Sequence, residues 1–430
     1  MCVIITPSAL KGALKAPASK SMTQRAIAVA TMAKGTSMVS GASLCDDAMT
    51  ALAIAKSLGA VIDIKGDKLS IIGNFSAAAT DFSVGESALC MRMFAPIAAL
   101  LDTPIRIIGT GSLQHRPMQM IDEALSQLGA SCILMPGANN KIWQVKGPLI
   151  GGKLLIDGSE TSQVLTGLLM ALPLAPVNSE ITVKNLVGRG YVDMTIQVLQ
   201  QFGVVIQQLK GGHYKINGCQ RYVAKDYAVE GDWSGAAFLL VAAALTGEIR
   251  IHNLFSNTKQ PDSAVLKALT LAGVPVSIGE QEVVVRKPQG RPKAFNFDAG
   301  ECPDLVPPLV ALAAGCKGVS SIYGIDRLKI KESSRAEVLQ QEFARIGVRI
   351  DLTENMMKIH GGTLTVGKEP VYAHNDHRIA MALAVAACSA DKPLTIEGAE
   401  CVSKSYPDFF ADLQKSGVNI TTENKILLHE

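Results

Sequence analysis

The chain is poor in aromatic side chains, has no cysteine motif and contains no long apolar run. Phe, Trp and Tyr make up 5% of its 430 residues, and only two are Trp. Its cores therefore rest on small aliphatic side chains packed between helices and sheets rather than on stacked rings. Nine cysteines are scattered without a C-x-x-C pair, which argues against a disulfide framework and for reduced thiols. Net charge is only +3, far from the basic excess of a nucleic-acid binder, so nucleic acid is not an expected partner. The longest apolar runs, such as Phe238 to Leu245, fall well short of the ~20 residues a membrane span needs. The opening MCVIITPSALKG lacks the apolar stretch of a secretory signal, and a cytoplasmic location is expected. No His, Cys and carboxylate cluster has metal-ligand spacing, so neither a metal nor another cofactor is expected. The Lys-Ser pair of PASKSMTQR also lacks the glycines that would make it a nucleotide-binding P-loop.

What is present is a repeat. A helix, a hydrophobic-Gly-hydrophobic turn and a strand recur as AKSLGAVI, LSQLGASCI, LQQFGVVI, LTLAGVPV, FARIGVRI and LQKSGVNI. The glycines are Gly59, Gly129, Gly203, Gly273, Gly347 and Gly417, spaced by 70, 74, 70, 74 and 70 residues. A glycine at that point suits a helix C-cap, where the backbone turns left-handed. Between these copies lie Ala- and Leu-rich helices followed by strands, as in LVAAALTGEIRIHNL and LAVAACSADKPLTIEG. The amphipathic helices are half polar and the Ala-rich ones almost uncharged, so one helix per repeat is expected to be exposed and one buried. Each repeat reads as βαβαββ, giving an α+β chain of six α/β repeats. Three repeats would close around three buried helices with sheets outside. The expected domains are residues 18–229, and residues 1–17 with 230–430, the N-terminal strand completing the latter.

The starts of the buried helices carry the unusual residues. They read Lys20-Ser21, Gly85-Glu86-Ser87, Thr161-Ser162-Gln163, Asp232-Trp233-Ser234, Pro303-Asp304 and Asn375-Asp376-His377-Arg378. N-capping accounts for Ser87, Asp232 and Asp376. It does not account for Lys20, Gln163 or Arg378, because a cation there opposes the helix dipole. An anion held by free amides and side chains together would explain them. Six such helix starts facing one cleft would trap an anionic small molecule. Arg116, Lys331, Arg335 and Lys404 stand in loops that the repeat geometry brings to the same place. KIKESSR also reads as a helix start with a charged first turn, which by itself would explain Glu332.

The segments SKSMTQRA, DGSETSQVLTGLLMALPLA, VEGDWSGAAFLL, KIKESSR, NDHRIAMALAVAA and VSKSYPDFF resemble the motifs of the EPSP synthases, a family of enolpyruvyl transferases. They occur in order over nearly the whole chain. The resemblance implies a two-domain inside-out α/β barrel, usually monomeric. It implies transfer of the enolpyruvyl group of phosphoenolpyruvate to the 5-hydroxyl of shikimate 3-phosphate by addition and elimination. Carried over by position, Lys20 contacts both substrates. Ser21, Arg25, Thr161, Ser162, Gln163, Tyr191 and Lys331 bind shikimate 3-phosphate, with Asp304 taking the 5-hydroxyl proton. Arg116, Gln163, Arg335, Arg378 and Lys404 bind phosphoenolpyruvate, and Glu332 moves protons at the vinyl carbon.

The chain also departs from the family pattern. GESALCMR stands where GNAGTAMR is common, so the Ala88 methyl is expected to crowd the longer inhibitor glyphosate more than phosphoenolpyruvate. Glu86 there has no evident purpose. Gly188 replaces a frequent Ser, Thr161 another Ser, and Arg327 an Asn of some members. Seven cations (Lys20, Arg25, Arg116, Lys331, Arg335, Arg378 and Lys404) against two carboxylates (Asp304 and Glu332) predict a strongly positive empty site. The nearest alternative is a transferase acting on UDP-N-acetylglucosamine, which normally carries a Lys-Asn pair and a loop Cys that SLQHRP lacks. An RNA 3′-phosphate cyclase shares the repeats but would carry more positive charge. A degenerate, non-catalytic anion binder is the alternative from another class.

Overall fold

The computed structural model describes residues 1–136 and 140–423. Its described residues divide into two compact units, one of Met1–Pro17 with Glu230–Glu430 and one of Ala18–Val229. Each unit has its own hydrophobic core.

Among the described residues, twelve α-helices alternate between two environments. In chain order they are α1 (Lys20–Met32), α2 (Asp46–Ser57), α3 (Ala88–Ala98), α4 (Gln119–Ser126), α5 (Gln163–Ala171), α6 (Arg189–Gln201), α7 (Trp233–Thr246), α8 (Val265–Leu271), α9 (Val306–Gly315), α10 (Arg335–Ala344), α11 (His377–Ala387) and α12 (Phe409–Lys415). The odd-numbered helices are buried almost all round. The even-numbered ones bury one face, as α2 does through Ala48, Ala51, Leu52, Ile54 and Ala55. Each even-numbered helix ends just before one of the six repeat glycines, whose φ values run from 72° to 91°. Side chains larger than hydrogen are disfavoured in that region, and the glycines end the helices there.

Six four-stranded sheets lie among the described residues, three per unit. Each has one parallel pair followed by two antiparallel pairings. In the second sheet Asp81–Gly85 runs parallel to Ile105–Gly109, with α3 as the crossover, and the hairpin Ser131–Met135 and Lys141–Lys146 follows α4. Burial alternates along the strands, as in Asp81–Gly85, so one sheet face meets the helices and the other faces water.

The repeats are not all continuous in sequence. Two N-terminal strands, not one, complete the unit of Glu230–Glu430. Lys11–Lys15 pairs in parallel with Glu248–His252, and Cys2–Thr6 lies between Leu394–Glu397 and Asn419–Glu423. In the other unit Tyr227–Ala228 supplies the leading parallel strand beside Gly35–Ser40.

Core packing brings helix starts close within each unit. Helices α7, α9 and α11 pack on one another, and α3 packs on α5. A Cβ at Gly167 of α5 would lie 2.4 Å from the carbonyl oxygen of Arg92, so only glycine permits this approach.

Candidate functional site

In the unit Ala18–Val229, α1 begins at Lys20, with the Ser19 hydroxyl accepting from the Met22 amide. Lys20 Nζ lies 2.8 Å from Asp47 Oδ2, in the first turn of α2. Ser21 follows, and Arg25 stands one turn further on, buried. Arg25 donates to Thr195 Oγ1 at 2.9 Å, the Ser21 carbonyl at 2.8 Å and the Tyr191 carbonyl at 3.3 Å. Burial lowers its pKa to about 10, against upward pulls from Tyr191 and Tyr227. It stays cationic at neutral pH, bound to neutral oxygens, so it contributes positive potential beneath Ser21 and Tyr191.

Gln163 opens α5, and its amide donates to Thr161 Oγ1. Its Oε1 accepts from Arg92 Nη1 at 2.9 Å, and Arg92 Nη2 donates to the Pro117 carbonyl at 2.9 Å. Arg92 thus joins Gln163 to the loop that carries buried Arg116. Ser162 caps α5 beside Gly188, the left-handed N-cap of α6. With φ at 65°, a serine at 188 would be strained, which explains the glycine. Glu86 also has a structural partner: its Oε2 accepts from Ser112 Oγ at 3.1 Å. A Cβ at Gly111 would fall 2.1 Å from Glu86 Oε1, so the carboxylate covers the start of the turn Gly111–His115. Ala88, the first residue of α3, is buried.

The other unit holds the denser cluster. Asp304 lies on the short 3₁₀ turn Pro303–Leu305 that leads into α9. It meets Lys331 Nζ at 3.3 Å, Arg335 Nη1 at 3.1 Å and Arg378 Nη2 at 3.1 Å. Burial alone would raise its pKa; Arg378, Lys331 and Arg335 together hold it well below the ordinary carboxylate range, against a smaller opposing push from Glu332. Arg335, 1% exposed, also meets Glu332 and binds Asp376 Oδ2 through Nε at 2.8 Å. Desolvation disfavours its charge, but Asp376, Glu332 and Asp304 more than restore it. Arg378 behaves alike: burial opposes its charge and Asp304 secures it. Lys404 Nζ donates to the Asn375 carbonyl at 2.8 Å.

Two sequence expectations need correction. Glu332 does not lie in a helical first turn: α10 starts at Arg335, and Glu332 precedes its N-cap, Ser334. Its carboxylate turns to Arg335 instead. Second, the cations are not left bare against two carboxylates. Asp376 caps α11 through the Arg378 amide as expected, and also binds Arg335. Asp47 neutralises Lys20 and Asp376 joins Arg335, because a buried cation at a helix start needs a counter-charge; Arg92 in turn adds a cation. Sequence reasoning missed Asp47, Arg92 and Asp376. Arg92 had a signal, being the sole charge in the otherwise apolar ALCMRMFAPIA. Arg327 donates to the Gly300 carbonyl, four residues before Asp304. Among the described residues no group of His, Cys, Asp and Glu could hold a metal ion, and no helix could cross a membrane. All nine cysteines are free thiols, only Cys219 being exposed.

Chemically, these groups can bind anions and pass protons between a carboxylate and a neighbouring hydroxyl or carbon. The family model for EPSP synthase (3-phosphoshikimate 1-carboxyvinyltransferase) matches residues 4–413. A 3-phosphoshikimate 1-carboxyvinyltransferase of Clostridium perfringens is 35% identical over 96% of this chain and 98% of its own. One from Methanocella arvoryzae is 36% identical over 98% and 100%. The solved EPSP synthase of Acinetobacter baumannii superimposes with a TM-score of 0.82 at 25% identity, covering 98% of this chain and 100% of its own. A match that leaves almost no part of either chain uncovered makes this chain a member of the EPSP synthase family.

Proposed function

We propose that the chain transfers the enolpyruvyl group of phosphoenolpyruvate to the 5-hydroxyl of shikimate 3-phosphate, releasing inorganic phosphate. The observation that carries this reading is the set Asp304, Lys331, Glu332, Arg335 and Arg378, two proton-transfer carboxylates held among three cations. In this reading Ser21, Arg25, Thr161, Ser162, Gln163, Tyr191 and Lys331 bind shikimate 3-phosphate. Arg116, Gln163, Arg335, Arg378 and Lys404 bind phosphoenolpyruvate. Lys20 contacts both. The first-named residues assign the acceptor chiefly to the unit Ala18–Val229 and the donor chiefly to the other.

The ion pairs set the order of events. Glu332 paired with Arg335 carries no proton to give. When a phosphoenolpyruvate oxyanion takes Arg335, Glu332 is released and takes up a proton. It then protonates the vinyl CH2, and C2 gains cationic character. The 5-hydroxyl oxygen attacks C2 while Asp304 accepts the hydroxyl proton. The tetrahedral product has a methyl group and still carries the phosphate. Breaking the C–O bond expels phosphate, which leaves with the bonding pair and the proton that Asp304 had accepted, and Glu332 takes back a methyl proton to form the vinyl ether. Asp304, depressed by three cations, is a weak base in the empty protein. Substrate anions that neutralise those cations raise its proton affinity when it is needed.

Phosphate release with phosphoenolpyruvate tests the reading. Turnover is expected with shikimate 3-phosphate and not with UDP-N-acetylglucosamine. Lys20→Met, Asp304→Ala and Glu332→Ala are each expected to lose about a hundredfold or more in kcat. Turnover that is indifferent to all three substitutions would reject the assignment.

A further inference from the structure

The buried carboxylate of Glu342 has no place in the reaction steps above. It sits on α10, two turns after Arg335, and its side chain has no solvent exposure. Its Oε1 lies 2.8 Å from His374 Nε2, and its Oε2 accepts from the Tyr372 amide at 2.9 Å. Arg345 Nε approaches Oε2 at 3.4 Å, and the Arg345 guanidinium lies over the Tyr372 ring. A fully buried carboxylate with these partners fixes whatever they belong to.

They belong to a strained turn. His374 and Asn375 have φ values of 51° and 54°, two successive non-glycine residues in the left-handed region. Such a pair persists only when its surroundings over-determine it, and it is a pointer to function. The turn ends on Asp376, which holds Arg335 and Ser333. The Asn375 carbonyl, fixed by the same turn, receives Lys404 Nζ. Helix α10 therefore grips one loop twice, through Arg335 on Asp376 and through Glu342 on Tyr372 and His374.

We infer that Glu342 is a positioning residue for the donor-binding cations: by holding His374 and Tyr372 it keeps the 374–375 turn left-handed, which seats Asp376 on Arg335 and the Asn375 carbonyl on Lys404. The inference rests on the reading of Arg335 and Lys404 as phosphoenolpyruvate contacts.

Steady-state kinetics on the full chain separate this role from general support. His374→Ala removes the bond to Glu342 but keeps a side chain that resists positive φ. His374→Gly removes the same bond and the resistance. His374→Ala and Glu342→Gln are each expected to raise the KM for phosphoenolpyruvate about tenfold, the effect of a released strained residue, while the KM for shikimate 3-phosphate stays within about twofold. His374→Gly is expected to recover most of that loss, since glycine adopts the turn unaided. Equal effects of Ala and Gly at 374, or parallel rises for both substrates, overturn the inference. If Glu342→Gln does not fold, the two His374 variants decide it alone. If the wild type does not turn over, the functional reading has failed, and crystal structures of the His374 variants still test the turn. A left-handed turn with Lys404 on Asn375 in His374→Ala overturns the inference; its loss in Ala and retention in Gly supports it.

Discussion

Arg335 meets three carboxylates in a nearly dry setting, and Lys20 meets one. These partners act as stand-ins that make buried cations tolerable before an anionic substrate arrives. A proton consequence follows. Anions that take Arg335, Lys331 and Arg378 away from Asp304 raise the proton affinity that those cations hold down. Binding of phosphoenolpyruvate with shikimate 3-phosphate is therefore expected to take up protons near neutral pH. Titration calorimetry in buffers of different ionisation enthalpy measures that uptake; a heat independent of buffer contradicts it. Asp304 also links charge to stability. Its folded pKa lies below the unfolded value of about 3.9, so its ion pairs stabilise fully above that value and are lost as pH falls through the folded one. Asp304→Asn leaves Arg378 and Lys331 without that counter-charge and is expected to cost about 3 kcal/mol at pH 7. The gap should stay constant down to about pH 5 and close only below about pH 4, as read from urea midpoints across pH. A gap that closes nearer neutrality would assign the effect to another group. Lys20 and Arg378 were legible in the sequence because a cation at a helix start is anomalous, whereas Lys331 and Arg335 were legible only as loop cations that the repeat places beside them. Asp47 and Asp376 were not, because an acid in a helix's first turn or at its N-cap is ordinary, and its cation partner lies elsewhere in the chain.

The helices show the same division between local and distant causes. The six repeat glycines announced their helix ends because a left-handed C-cap is a local event, and all six have positive φ. The separation of buried from exposed helices was legible for a like reason, since amphipathicity is written along one helix. Gly167 carried no such signal. Its reason is the backbone of α3, whose Arg92 carbonyl lies 2.4 Å from the site of a Cβ. Gly167→Ala therefore forces α3 and α5 apart, at an expected cost of about 1–3 kcal/mol. Because Arg92 bridges α3 to Gln163, the same change should also weaken substrate binding through Gln163. Thermal unfolding together with KM for both substrates checks this. An unchanged melting temperature would mean that the helices part without cost. Gly188 differs again: its need is chiefly conformational, although a Cβ would also lie 3.2 Å from Tyr191 Cδ2 and 3.3 Å from Ser162 Oγ, so Gly188→Ala should lose about 1–2 kcal/mol, mostly from backbone strain, without moving α3. Denaturation of the two variants side by side separates close approach from strain.

At the scale of the molecule, chain order and spatial order part company at both ends of the Ala18–Val229 unit. That unit is one continuous segment, and its three sheets draw every strand from within it. The other unit is discontinuous. Without Met1–Pro17 its first sheet loses the parallel strand Lys11–Lys15. Its last sheet suffers more, because Cys2–Thr6 is an inner strand. Removing it leaves Leu394–Glu397 and Asn419–Glu423 without a shared neighbour, and buried Val3 and Ile5 vacate the core. An edge strand can be lost at modest cost, whereas an inner one leaves two rows of backbone groups unpaired. The repeat period predicted that N-terminal residues would complete this unit, but a period cannot tell an inner position from an edge, because register depends on partners some 390 residues away. The consequence is an asymmetry between fragments. Residues 18–229 expressed alone are expected to unfold cooperatively, with a sharp thermal transition. Residues 230–430 alone should lack one, and a synthetic peptide of residues 1–17 added in trans should restore it, raising the melting temperature with peptide concentration as a folded-state ligand does. A peptide carrying Val3→Asp and Ile5→Asp keeps the backbone pairing but not the buried side chains, and should fail to rescue. Cooperative unfolding of 230–430 without any peptide would show that the inner strand is dispensable.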